Sequence, residues 1–467
     1  MHRDKQLRAL HALILLVAFT GTSRASQPAT PAKVAPRFAN PVPPELTTSS
    51  DLTAEVDGVP VWVENLTKAC PEDAPAWFRA NATKNLAVNI AAFTCTKPRR
   101  LTLHLQQPLQ TLTVRPKHRG IAVAGKERDW TLELPGPCQL YVELGSLPPL
   151  LVFADPPEAN PELDPSKVRV FGPGVHHPGL ITLEDNAQVY LAPGAVVYGG
   201  FRGSPRHAKV FGRGILDGSQ LNTSMVRLDG AKGVLFEGLI LRCGKAWQNT
   251  LQNCEDVTYR NVKILSFVPY GDGIDPVCSR KIRIENCFFR CSDDCIAVKA
   301  MRGGPAVADI LVQGCVMAGY NFSDGFTIGY EAVTEMIEAI TVKNCDILYA
   351  RGATKAGQHS AFSIICDGPA TVRNVTFEDI RVEENITRMF ELNVTDGAFY
   401  SQAPPGRIQG VRLKNIQWEK ACPIVITGYN ADHLVEDVVF ENCQVAGAPL
   451  TSAQIQTNAF TKRIVVR

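Results

Sequence analysis

Two short stretches hold the residues best suited to chemistry: Tyr270-Gly271-Asp272-Gly273-Ile274-Asp275-Pro276 and Ser292-Asp293-Asp294-Cys295-Ile296-Ala297-Val298-Lys299. Asp272 and Asp293 are 21 residues apart. If one turn of a coiled β-structure fills that interval, the two sit roughly 5 Å apart at the backbone, with Asp294 beside them. Crowded carboxylates repel, so at least one holds a proton near neutrality while another stays ionised. One protonated and one ionised carboxyl on a shared surface are the acid and base of glycosidic-bond cleavage. Spacing alone also fits two other readings, because Asp-Gly is an ordinary turn signal and clustered carboxylates bind calcium.

What would bring these residues together is visible in the chain around them. A unit of the form apolar-x-apolar-x-(Asn/Gly/Asp)-apolar starts at Val234, Val257, Ile282, Ile310, Ile340, Val375, Val411 and Val438, at intervals of 23 to 36 residues. Alternation predicts a strand, and Asn, Gly or Asp tolerates the left-handed conformation that turns a chain sharply. Strand, corner, strand, repeated without helical periodicity, predicts a right-handed parallel β-helix. Leucine-rich repeats are the competing solenoid, but their Leu-x-x-Leu-x-Leu signature is missing. The register also places Cys287, Cys315, Cys345 and Cys443 where other repeats carry Leu239, Val262, Ile380 and Ile416, so these thiols are read as small buried apolar groups. Cys291 and Cys295, which flank the acidic pair, are left open to a linkage.

Four segments follow from composition and pattern. Basic residues before the apolar run Ala12–Phe19, with a small-residue site at Ser23-Arg24-Ala25, read as a signal peptide over 1–25. Residues 26–50 are rich in proline and read as a linker. Residues 51–155 alternate in the strand period, as in Leu101-Thr102-Leu103-His104-Leu105, and predict a small antiparallel β-sandwich; residues 156–467 form the β-helix and carry the catalysis. The net charge is +2, and residues 1–25 hold four basic residues against one acidic, which leaves −1 for the rest. A near-neutral chain has no broad attraction for nucleic acid or an anionic membrane. A secreted or periplasmic monomer is expected, with no cofactor and no metal: zinc-like Cys and His spacings are missing.

Over roughly Val168 to Val445 the chain resembles glycoside hydrolase family 28, the polygalacturonases and their relatives. That family's Asn-Thr-Asp-Gly-Ile-Asp motif looks like Tyr270–Asp275, and its Gly-Asp-Asp-Cys-Ile-Ala-Ile-Lys motif looks like Ser292–Lys299, with matching separation. The resemblance implies a right-handed β-helix acting on a pectic polysaccharide. It makes Asp293 the general acid and lets Asp272 and Asp294 activate water for single displacement with inversion. The openings Val168–His177 and Gly212–Gly218 look like the first coils of members that carry an added N-terminal domain.

Two departures bear on the substrate. The family's Gly-His-Gly segment has become Ser323-Asp324-Gly325, and its Arg-Ile-Lys segment looks like Ser363-Ile364-Ile365. Arginine and lysine there would clamp a uronate carboxylate, while Asp324 repels one. Lys299, Arg302, Arg351, Lys355 and His359 are candidates to compensate. A neutral polysaccharide such as dextran is the alternative, since the family 49 dextranases are similar in joining a β-sandwich to a β-helix with three aspartates. Asp324, Lys299, Trp247 and Tyr330 are the expected substrate contacts, with Tyr270, Tyr320 and Phe326 as further aromatic candidates. A calcium-dependent lyase and a non-catalytic glycan-binding β-helix remain as readings from other classes.

Overall fold

The residues expected to turn each corner do so in the left-handed conformation. Gly238, Asn261, Asn286, Gly314, Asn344, Asp379, Asn415 and Asn442 all have positive φ, between 49° and 84°. These values come from a computed structural model, which describes residues 40–467 apart from 44, 83–85, 159–165, 322, 351–359, 386 and 398–399. The expected signal peptide and the start of the linker lie outside the described residues, as do Arg351, Lys355 and His359.

Each corner follows a strand of a 12-stranded parallel sheet that runs from Val168–Phe171 to Thr461–Val466. The first residues of the repeats stand side by side in it: Val234 pairs Val257, then Ile282, Ile310, Ile340, Val375, Val411 and Val438. Two further stacks of parallel strands complete each coil, giving a right-handed parallel β-helix with three faces. The inward residues fill one continuous core. Cys287, Cys315 and Cys345 are fully buried in it, and Cys443 nearly so, as apolar packing requires.

Two sheets between Leu52 and Asp155 pack face to face around Leu101, Leu103, Leu132, Phe93, Leu140 and Val152. Their pairings are antiparallel with one exception: Ala87–Thr94 lies parallel to Leu147–Asp155. The linker's end is tied down, since Asn40 donates to the Ala92 carbonyl and Thr48 bridges Glu64.

The sandwich is anchored to the coils by buried charge and by shared apolar packing. Arg242 reaches Glu64 at 2.6 Å and Asp217 at 2.7 Å, all three side chains almost without solvent contact. Phe78 and Phe153 pack in one cluster with Phe267, Phe288 and Leu348 of the coils. No helix among the described residues is long and apolar enough to cross a membrane.

Candidate active site

The acidic stretches fall at the turn that enters the third face of the helix, just before strands Ile274–Val277 and Ala297–Ala300. Ile274 bridges Ile296, and the Gly273 N–H donates to the Asp294 carbonyl at 2.9 Å. The register therefore sets Asp272 beside Asp294, with Asp293 one residue off. A full turn here is 22 residues, so the expectation that Asp293 itself is level with Asp272 is corrected by one position. The next coils continue the row: the Cys295 N–H donates to the Asp324 carbonyl, and Ala297 pairs Thr327.

Two glycines allow this turn to lie so close to its neighbour. A Cβ at Gly271 would meet Ser266 Oγ at 1.8 Å, and one at Gly273 would meet the Cys295 carbonyl at 2.3 Å. Ser292 fixes the turn from the following coil, through its Oγ contact with Ser266 Oγ at 2.8 Å and its donation to the Val268 carbonyl. Cys291 and Cys295, on that same coil, are buried free thiols, so neither is linked.

Burial sets the protonation of the carboxyls. Asp272 is 3% exposed, and desolvation lifts its pKa to about 6 despite the opposing charge of Lys299. Asp293 keeps partial solvent access at its surface, yet desolvation and the charges of Asp272 and Asp294 push it well above the usual carboxylate range. Asp275 is raised likewise by burial and by Asp272. Protonated, Asp275 donates to Asp272 and so favours the ionised form there. Asp294 Oδ1 accepts the Asp324 backbone N–H at 2.8 Å, which fixes its carboxylate. The arrangement thus favours a proton at Asp293, next to the oriented carboxyl of Asp294, with the pKa of Asp272 lifted to about 6.

The expected contacts divide. Lys299 is 5% exposed, donates to Glu331 at 3.1 Å and lies 4.6 Å from the centre of the Trp247 ring. Burial disfavours its ammonium, but Glu331, Asp272, Asp275 and Asp294 outweigh that and raise its pKa. Its first effect is therefore on these carboxylates. Asp324 is buried, with Oδ1 accepting the Ser360 N–H at 2.9 Å and Oδ2 accepting the Ser363 hydroxyl. The serine at the lost clamp position thus holds the aspartate that replaced the histidine. Tyr330 is half-buried, its ring 4.8 Å from that of Tyr400. Tyr320 and Phe326 are not groove residues: Tyr320 is buried and donates to the Ser266 carbonyl, and Phe326 belongs to the core. Arg302 is exposed and makes no ion pair among the described residues. No group of three or more His, Cys, Asp or Glu among the described residues is arranged to hold a metal ion.

Sequence reasoning passed over Asp275, Glu331, Trp77 and Tyr400. Asp275 closes a motif already singled out, and its acidity in an otherwise apolar strand was the available signal. The others reach the site through folding that no local pattern reports.

Comparison with known proteins now decides the family. The profile of glycosyl hydrolases family 28 matches residues 212–461, more than half of the chain. The chain belongs to that family. A polygalacturonase of Chamaecyparis obtusa is 23% identical over 207 residues; the match spans 43% of this chain and 38% of the relative's length. Among solved structures, the exopolygalacturonase of Thermotoga maritima aligns with a TM-score of 0.51 at 17% identity, over 64% of this chain and 83% of its own. Dex49A of Penicillium minioluteum aligns with a TM-score of 0.53 at 12% identity, over 91% and 95%. At these identities the two structures establish the shared fold, which in Dex49A extends over the N-terminal sheets as well.

Proposed function

We propose that this family 28 chain hydrolyses a glycosidic bond of a pectic polysaccharide by single displacement with inversion. Asp293 protonates the leaving oxygen, and Asp294 with Asp272 removes a proton from the attacking water. The observation that carries the reading is the register of Asp272 with Asp294 on adjacent coils, with Asp293 raised between their charges. The proton lost by water and the proton given by Asp293 balance, so the site returns to its starting state after exchange with solvent. A pectic substrate is supported by family membership and by the polygalacturonase of Chamaecyparis obtusa among its relatives.

A second reading, a neutral polysaccharide, is favoured by a specific observation. Along the coils after the triad the same face carries Asp324 and Glu391, both buried, and Glu391 is already paired with Arg388. Hydroxyl groups donate to such carboxylates, whereas a uronate is repelled. Reducing-end release should be measured on polygalacturonate, rhamnogalacturonan, dextran and pullulan, with the new anomer followed by proton NMR. Release from a pectic polymer with inverted anomer is expected. Release from dextran alone transfers the assignment to the second reading, and an unsaturated product absorbing in the ultraviolet replaces hydrolysis by elimination.

A further inference from the structure

Only a few large apolar or aromatic side chains lie exposed among the described residues, and Tyr270 and Tyr400 are the two at the candidate site, 53% and 48% exposed. Tyr270 stands two residues before Asp272, which is almost fully buried. Its φ of 56° is a conformation that bulky residues seldom adopt. The turn is locked into it by Gly271 and Ser292, and the result is a ring standing in solvent beside a carboxylate of the triad.

That ring is braced from a distant part of the chain. The helix Ala76–Ala82 belongs to the N-terminal segment, between two strands of the sandwich. Phe78 is fully buried in the cluster shared with the coils and pins this helix down. Trp77, next to it, turns its ring edge-on to Tyr270, with centroids 5.5 Å apart and planes at 74°. It also packs at 5.8 Å against Phe78, so Tyr270 rests on a rigid support.

We propose that Tyr270, braced by Trp77, is a stacking wall for a pyranose ring beside the triad, so that the N-terminal segment builds part of the substrate site. Tyr270 is the contact residue and Trp77 the positioning residue. A pyranose presents a face of C–H groups to an aromatic ring, and a ring held in place by a second aromatic loses little freedom on binding. Tyr400, its ring against that of Tyr330, is a second exposed aromatic near Asp293; the pKa of its phenol is raised by burial and by the charge of Asp293. The inference rests on the hydrolytic reading of the triad.

The test uses the full chain and the polymer in the panel above that releases the most reducing ends, together with oligogalacturonides and isomalto-oligosaccharides as short probes. W77A and Y270A should raise KM by about five- to tenfold, as expected for a lost ring contact, with kcat within about twofold of the parent. W77F and Y270F, which keep the rings, should recover most of the parental KM. A W77A protein that melts at lower temperature but keeps the parental KM overturns the proposal and leaves Trp77 a packing residue. If W77A fails to fold, Y270A decides alone, because its ring is half in solvent. D293N separates this inference from the reading beneath it: turnover retained by D293N sinks the hydrolytic assignment, while an unchanged KM in Y270A sinks only the stacking wall.

Discussion

Two ladders run through the same coils and obey opposite rules. On the 12-stranded face, Phe236, Tyr259, Ile284, Val312, Val342, Phe377, Leu413 and Phe440 stack inward, and each is buried. On the third face the outward positions read Thr250, Asp275, Ala297, Thr327, Ser363 and Glu391. Outward residues of the first ladder's strands, such as Leu311 and Thr341, are partly open to solvent, whereas these polar ones are buried. The third face thus carries polar residues that the surrounding chain closes from water. The first ladder stabilises the solenoid, and the second gives up stability to hold carboxyls where burial can tune them.

The sharpest way to separate the ladders is to remove the acid. D293N keeps the shape of the side chain and deletes its proton, and kcat should fall by about 10²- to 10⁴-fold on any substrate the protein cleaves. Thermal unfolding should move little or upward, because a carboxyl crowded by Asp272 and Asp294 is replaced by a neutral amide. A large loss of melting temperature with activity kept per folded molecule would place Asp293 on the structural side of the comparison.

The reciprocal change falls on the apolar ladder. Ile284 is fully buried between Tyr259 and Val312 of the adjacent coils. I284A leaves a cavity there and should cost about 2–5 kcal/mol in urea unfolding. Activity per folded molecule and its pH profile should stay as in the parent. A shifted pH profile would mean that the two ladders are mechanically linked across the coil.

The contrast also explains what could be read from the chain. Every repeat corner was legible, because a strand followed by Asn, Gly or Asp is a local pattern and each turns with positive φ. The triad was legible because its two acidic stretches are separated by about the length of a short coil. The register was off by one because the turn lengths at Gly271–Gly273 and Ser292–Asp294 are set by contacts between coils. Trp77 lies almost 200 residues before Tyr270, and its place depends on how the sandwich seats on the helix through Phe78. No periodicity in either segment carries that information. The burial of Asp324 was not legible either, since it depends on Ser363, a coil away.

The smallest effect, and the finest probe of the polar ladder, concerns Asp275. Neither of its oxygens meets an N–H or hydroxyl donor among the described residues, and burial with the neighbouring Asp272 charge raises its pKa well above the usual range. It is therefore a donor to Asp272 at neutral pH. Asparagine donates in the same direction and is also neutral, so D275N should leave the acid limb of kcat/KM where it is, near the pKa of about 6 held by Asp272. D275L removes the donor, disfavours ionised Asp272 and should move that limb to higher pH. Stability follows the same proton. Because the folded pKa of Asp272 lies above its ordinary 3.8, the folded state binds a proton that the unfolded chain releases, and stability should fall as pH rises from about 4 through about 6. D272N should flatten that part of the melting-temperature profile. If D275N shifts the acid limb as far as D275L does, Asp275 acts as a charge rather than as a donor, and its proton would have to be assigned elsewhere.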